Sequence, residues 1–306
     1  MQSSFIGSLM ELSAEHEEVM YLTADSGEGG LDLMYRRNFP NRSFDFGIAE
    51  GNMVAAAAGM ALSGKVPFVY TSAPFLVYRA NEFIRDDVCL QNVPVKIFGS
   101  GSGLAVSSLG PTHHSTEDIA VLRCMPNLTV LSPATPMQAY ESVTKAYNIP
   151  GPVYVRLGMN KEPEYFESGY KIPEAGIDVI GEGKDVLIVS TGTIICEAMR
   201  AMNILRSEGV DVTIASIFKL KPFDGDLFIT LASQFEHFVI VEEHNIIGGL
   251  GSMISECLFK AGLQSSITKM GLVDQFTKGY GQLDDVRKVN KLDAESIVAS
   301  VRGELQ

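Results

Sequence analysis

Short runs of β-branched and aromatic residues alternate with helical patterns along almost the whole chain. Several runs are apolar on both faces, as strands are when helices cover both sides of a parallel sheet. The predicted strands are residues 19–25, 43–48, 66–72, 93–100, 128–133 and 152–157, then 185–191, 210–217, 237–244 and 266–273. This alternation predicts an α/β protein with doubly wound, mostly parallel sheets.

The alternation lapses once, in a polar stretch with two prolines, NKEPEYFESGYKIPEAG. A chain of 306 residues also exceeds the usual size of one hydrophobic core. We therefore predict two domains, at residues 1–160 and 183–306, joined by a linker at residues 161–182.

The net charge of −13 argues against nucleic acid and anionic membranes as partners, because both are bound by basic surfaces. No apolar stretch is long enough to span a bilayer, and the N-terminus lacks the basic start of a signal peptide. The four cysteines lack C-x-x-C spacing, which is typical of reduced thiols. These features together predict a cytoplasmic protein.

One acid, Glu50, begins a run of small apolar residues, EGNMVAAAAGMALSG. The helix dipole favours an acid in a first turn, and this explains most such residues. The helix that follows is nearly all apolar, however, and is expected to be buried on most sides. A partly desolvated carboxyl can share a proton near neutral pH, so Glu50 is also a candidate catalytic residue.

Other candidates lie near predicted strand ends, where open α/β sheets bind ligands. Phe75 and Tyr78 either join the core or form an apolar wall for a flat heterocycle. His113, in a loop before a helix, is either a catalytic or binding residue or a surface histidine. Arg156 and Asp25 either form structural ion pairs or bind substrate. The sequence has no H-E-x-x-H motif, and we predict no metal ligands in this chain.

Three segments resemble, in order, parts of transketolases: FDFGIAEGNMVAAAAGMAL, GPTHHSTEDIAVLRCMPNLTVLSPATP and KDVLIVSTGT. The resemblance covers nearly the whole chain and implies a pyrimidine-binding domain followed by the transketolase C-terminal domain. It implies that Glu50 contacts N1′ of the aminopyrimidine of thiamine diphosphate, and that Phe75 and Tyr78 pack on that ring. It also implies that His113 lines the substrate channel and that Arg156 binds a sugar phosphate.

The Gly-Asp-Gly motif, which in this family helps to hold the cofactor's diphosphate and Mg²⁺, does not occur in the 306 residues. The chain resembles the C-terminal half of a transketolase, which implies a separate N-terminal subunit that carries the phosphate and metal site. We expect an α2β2 heterotetramer, with this chain inactive alone. The implied reaction transfers a two-carbon ketol unit between a ketose and an aldose or their phosphates.

Leu109 and Gly51 depart from the family pattern, where an acid and a larger side chain are usual. Lost polar contacts of this kind favour a substrate other than the pentose phosphates of central metabolism. Three alternatives stay open: the β subunit of a 2-oxo acid dehydrogenase, a non-catalytic regulatory subunit and, ranked lower, a deoxyxylulose-phosphate synthase.

Overall fold

The computed structural model describes residues 1–25, 30–159, 161–263, 265–277 and 280–305. The strands are β1 (Val19–Thr23), β2 (Ser43–Asp45), β3 (Val66–Ser72), β4 (Lys96–Ser100), β5 (Thr129–Leu131), β6 (Val153–Leu157), β7 (Ile177–Ile180), β8 (Val186–Ser190), β9 (Val212–Ile217), β10 (Lys219–Lys221), β11 (His237–Asn245) and β12 (Ser266–Leu272).

The helices are α1 (Gln2–Glu15), α2 (Gly30–Asn38), α3 (Glu50–Leu62), α4 (Asn81–Phe83), α5 (Asp118–Arg123), α6 (Pro136–Asn148), α7 (Ile195–Ser207), α8 (Gly225–Ala232), α9 (Leu250–Lys260), α10 (Leu283–Val289) and α11 (Ala294–Glu304). Two π-helical turns, Phe75–Arg79 and Ile84–Leu90, flank α4. None of the helices in the described ranges is long and apolar enough to cross a membrane.

Seven of the described strands form the first sheet, in the order β10-β5-β6-β4-β3-β1-β2. Every pairing in it is parallel except that of β10 with β5. Successive side chains of β1 pack on opposite faces of the sheet. Tyr21 packs in a hydrophobic core with α1 and α6, whereas Leu22 packs in a different core with α3. Helices therefore cover both faces of this sheet, which explains why its inner strands are apolar throughout.

Five of the described strands form the second sheet, in the order β12-β11-β8-β9-β7. Its pairings are parallel except that of β7 with β9. The α/β class with two doubly wound, mostly parallel sheets is confirmed. The arrangement matters for the site because parallel strands bring their carboxyl ends to one edge of a sheet.

Two short edge strands differ from the sequence-based expectation. Strand β7 lies inside the predicted linker 161–182, because residues 177–180 pair with β9 of the second sheet. Strand β10 follows β9 in the chain but pairs with β5 of the first sheet. Both strands pair antiparallel at a sheet edge, outside the alternation of strands and helices by which the other strands are recognised. The other domain boundaries stay a prediction.

Candidate active site

Helix α3 begins at Glu50, whose side chain is only 2% exposed. The helix packs on the sheet through one face, formed by Met53, Val54 and Ala57. Leu62, by contrast, is 62% exposed. The expectation of burial on most sides is therefore wrong, because full burial is confined to one face of the helix. That face holds Glu50 at the edge of the sheet.

A pocket of about 390 Å³ lies beside Glu50. Three further candidates from the sequence, Asp25, Phe75 and His113, line the same pocket. These four residues come from separate parts of the chain, after β1, at the start of α3, after β3 and after β4. The parallel sheet brings them together, since these strands end at the same edge.

His113 and Phe75 are in direct contact inside this pocket. Their ring centroids lie 5.1 Å apart with an interplanar angle of 73°, an edge-to-face arrangement. The Nδ1 atom of His113 is 2.9 Å from the hydroxyl of Thr112. One ring nitrogen of His113 is thus hydrogen-bonded to Thr112, while the His113 ring itself borders the pocket.

The neighbouring His114 lies elsewhere. It is 3% exposed, and its Nδ1 is 2.7 Å from the hydroxyl of Thr277 in the second domain. Burial lowers the pKa of His114, which favours its neutral form. Of the two adjacent histidines, His113 alone lines the Glu50 pocket.

Arg79 also lines the pocket, although no motif in the sequence points to it. Its Nη1 donates to both carboxylate oxygens of Glu50, at 3.0 and 2.8 Å. Its guanidinium carbon lies 4.8 Å from the centroid of the Phe75 ring. The signal available in the sequence was the four-residue spacing from Phe75, which places two side chains near one another on a helical turn.

Asp25 and Tyr70 border the pocket on the β1 and β3 side. Asp25 is exposed, and its backbone N–H donates to the carboxylate of Asp45 at 3.3 Å. Burial raises the pKa of Tyr70, so its hydroxyl stays protonated and accepts from the side-chain amide of Gln2 at 2.8 Å. Asp25 and Tyr70 therefore contribute a carboxylate and a hydroxyl group to the residues that line the pocket.

The expectation that Tyr78 packs on a cofactor ring is corrected by its placement. The Tyr78 hydroxyl donates to the Glu117 carboxylate at 2.8 Å and accepts from the Glu117 backbone N–H at 3.0 Å. Tyr78 lines a separate groove that also contains Phe276. These hydrogen bonds hold its ring away from the Glu50 pocket, so Phe75 is the predicted aromatic that remains there.

The expectation that Arg156 binds a sugar phosphate is also wrong in this structure, because its side chain is 1% exposed. Its Nε donates to both carboxylate oxygens of Asp118, at 3.1 and 2.8 Å. Its Nη2 donates to the carbonyl oxygens of Ser115 and Glu243, at 3.1 and 2.9 Å. Since Glu243 lies on β11, Arg156 links the two sheets instead of facing a ligand.

Gly51 and Leu109, the two departures from the family pattern, have different surroundings. A Cβ atom at Gly51 would lie 2.7 Å from the ring of Phe83. The glycine therefore allows that aromatic ring to approach helix α3 closely. Leu109 lines the pocket and is 52% exposed.

The described part of the chain contains no group of three or more histidine, cysteine, aspartate or glutamate side chains that could hold a metal ion. In the same ranges, all four cysteines are free thiols; two of them, Cys89 and Cys196, are buried, while Cys124 is exposed. The candidate site is the pocket that is lined by the buried carboxylate of Glu50, the ring of Phe75, His113 and Arg79.

Comparison with known proteins gives consistent matches over both sheets. The family model of the transketolase pyrimidine-binding domain matches residues 3–162, and that of the transketolase C-terminal domain matches residues 176–297. The chain is 34% identical over 281 residues to one of the subunits of the apulose-4-phosphate transketolase of Actinobacillus succinogenes, covering 92% of this chain and 90% of that protein.

It is also 32% identical over 314 residues to a putative transketolase C-terminal section of Methanocaldococcus jannaschii, covering 100% of this chain and 96% of that protein. Among solved structures, a split-gene transketolase described as an inactive β4 tetramer superposes with a TM-score of 0.90 at 34% identity. That match covers 99% of this chain and 97% of the other.

Proposed function

This chain belongs to the transketolase family, and we propose that it is the C-terminal subunit of a split enzyme of that family that depends on thiamine diphosphate. The complete enzyme would transfer a two-carbon ketol unit between a ketose and an aldose, or between their phosphates. The observation that carries this proposal is the buried carboxylate of Glu50, which shares one pocket with Phe75 and His113.

The pocket fits the aminopyrimidine half of the cofactor. Glu50 offers a buried carboxyl group that can share a proton with a ring nitrogen, and Phe75 offers a flat apolar face. The bound cofactor would supply the carbon nucleophile of the reaction. Glu50 would hold or move a proton at the ring nitrogen, because a carboxyl group in a dry site can exchange a proton with a hydrogen-bonded base.

His113 and Asp25 would serve the substrate side of the same pocket. The His113 ring, oriented by Phe75 and Thr112, can donate or accept a hydrogen bond at a sugar hydroxyl. The exposed carboxylate of Asp25 can accept a hydrogen bond from another hydroxyl. We assign substrate positioning to these two side chains, and no substrate contact to the buried Arg156.

We propose that a separate subunit completes the site and carries the diphosphate and Mg²⁺. The sequence of this chain lacks Gly-Asp-Gly, and the pocket has an apolar rim at Ile48, Leu109 and Met159, which are 76%, 52% and 47% exposed. Exposed apolar side chains around a pocket favour coverage by another protein surface. One relative is named as a subunit of its transketolase and the other as a C-terminal section, which supports a separate N-terminal subunit. The α2β2 stoichiometry is part of our proposal.

The test is to isolate this chain with its partner from native cell extract, in the presence of thiamine diphosphate and Mg²⁺, and to assay ketol transfer. Donors would include ketose phosphates such as apulose 4-phosphate, the compound in the name of one relative. We expect Glu50→Gln to lower the rate of the complex by about 10²–10⁴-fold. The exposed Glu82, changed to Gln, is the matched control and should leave the rate unchanged.

Two results would overturn the proposal. One is full ketol-transfer activity in the Glu50→Gln complex, which would favour a non-catalytic subunit. The other is a complex that oxidises 2-oxo acids and transfers no ketol unit, which would favour the dehydrogenase alternative.

A further inference from the structure

We propose that Arg79 blocks the aminopyrimidine position of the pocket and must move away before the cofactor binds. The inference rests on the proposed function, because it concerns access to Glu50 and Phe75. It assigns to this chain an autoinhibitory contact that lowers its affinity for the cofactor.

The two contacts of Arg79 carry the inference. Its Nη1 donates to both oxygens of the Glu50 carboxylate, at 3.0 and 2.8 Å. Its guanidinium carbon lies 4.8 Å from the Phe75 ring centroid, within the range of a cation–π contact. A guanidinium is planar and presents N–H donors in its plane. An aminopyrimidine is also a planar nitrogen-bearing ring, so it would compete for the same carboxylate and the same aromatic face.

The surroundings of the pair show which partner can move. The Glu50 side chain is 2% exposed and anchored at the start of α3, whereas the Arg79 side chain is 54% exposed. The half-exposed guanidinium can be rehydrated when it leaves Glu50, but the buried carboxylate cannot, so the arginine leaves when the cofactor takes its place. Arg79 is the last residue of the π-helical turn Phe75–Arg79. Rotation of its side chain would clear the pocket without any change in the backbone.

The contact also protects the buried carboxylate. Without Arg79 the ionised Glu50 would lose the cation that contacts both of its oxygens, and a buried charge without its partner is costly. The arginine therefore stabilises the pocket in the blocked state and competes with the cofactor. If the block is closed nine-tenths of the time, the apparent affinity for the cofactor falls about tenfold.

The experiment measures binding and not turnover. Thiamine diphosphate is titrated by calorimetry into the two-subunit complex at saturating Mg²⁺, and its dissociation constant is compared between wild type and Arg79→Met. We expect the variant to bind about tenfold more tightly. Arg85→Met is the matched control, because Arg85 is 68% exposed and pairs with Asp86 outside the pocket. Its dissociation constant should equal that of the wild type.

A second pair of variants tests whether Arg79 acts through Glu50. In the Glu50→Gln background, Arg79→Met should change the dissociation constant much less than in the wild type, since the ion pair is already lost. Thermal melting of each variant checks that it is folded.

If Arg79→Met binds the cofactor no more tightly than the wild type does, the proposed block is wrong. The proposed function would still stand in that case, provided that the wild-type complex binds thiamine diphosphate. An equal gain in both backgrounds would also overturn it. If the wild-type complex does not bind thiamine diphosphate at all, the proposed function itself fails.

Discussion

The guanidinium of Arg156 and the carboxylate of Asp118 form an ion pair of 2.8 Å between side chains that are 1% and 0% exposed. The Tyr154 hydroxyl donates to the same carboxylate at 2.8 Å. This buried cluster joins the end of β6 to the start of α5, and through the carbonyl of Glu243 to the second sheet. Its position makes it a determinant of stability.

We expect Arg156→Met to lower the free energy of unfolding by roughly 3–5 kcal/mol, because it leaves the Asp118 carboxylate buried without a counter-charge. Urea denaturation of the purified chain measures this change. The double variant Arg156→Met with Asp118→Asn should recover part of the loss. An Arg156→Met chain of unchanged stability would contradict the assignment, and a raised KM for a sugar phosphate alone would restore the substrate-binding role.

Phe75 and Tyr78 are expected to differ in their effect on cofactor affinity. Phe75→Leu removes an aromatic face from the pocket, and should raise the dissociation constant of thiamine diphosphate about three- to tenfold in the complex. Tyr78→Phe removes the hydrogen bonds to Glu117, outside the pocket, and should leave that constant unchanged. Equal effects of the two changes would mean that Tyr78 also reaches the cofactor.

His113→Ala should reduce kcat/KM of ketol transfer by about 10²-fold or more, with the affinity for thiamine diphosphate changed little. The reason is that the His113 ring borders the pocket beside Phe75, whereas the proposed function gives the contact with the cofactor's ring nitrogen to Glu50. Steady-state kinetics and calorimetry of the same complex separate the two effects. His16→Ala, at a histidine remote from the pocket lining, serves as the control. Loss of cofactor binding with unchanged kcat would contradict the substrate role.

Lys96 is expected to make stability depend on pH. It is fully buried, its Nζ donates to the carbonyl oxygens of Ile149 and Gly151, and burial lowers its pKa to about 7. The unfolded chain keeps an ordinary lysine pKa and so binds more protons than the folded chain above pH 7. This residue's contribution to the unfolding free energy therefore rises with pH, by up to about 1.4 kcal/mol per pH unit.

The comparison of wild type with Lys96→Met isolates that contribution. Urea denaturation between pH 7 and 9.5 should show a wild-type stability that rises relative to the variant. Above this range the buried tyrosines begin to contribute, so it is left out of the comparison. Parallel pH profiles of the two proteins would mean that Lys96 is not titrating in this window.

Much of the site could be predicted from the sequence because a helix between two successive strands favours their parallel pairing. The alternation of strands and helices predicts parallel sheets, and parallel strands end at a shared edge. Asp25, Glu50, Phe75 and His113 all follow or adjoin such ends, and they do share one pocket.

Other features depend on contacts between distant segments, which no local pattern specifies. The sequence alone leaves open whether Arg156 and Asp25, both at strand ends, face a ligand or a partner side chain. Arg156 is buried and bonded to Asp118, Ser115 and Glu243, whereas Asp25 stays exposed at the pocket. The same holds for Tyr78, whose direction is set by Glu117.

What the sequence by itself determined is the α/β class, the buried start of α3 and the family, because periodicity and motif spacing are written along the chain. What only the tertiary structure decided is the pairing of edge strands β7 and β10, the burial of Arg156 and the contact of Arg79 with Glu50. These three features depend on how elements far apart in the sequence pack together. Many carboxylates and strand edges could serve as partners chemically, and the packed geometry and the cost of desolvation decide which of them are used.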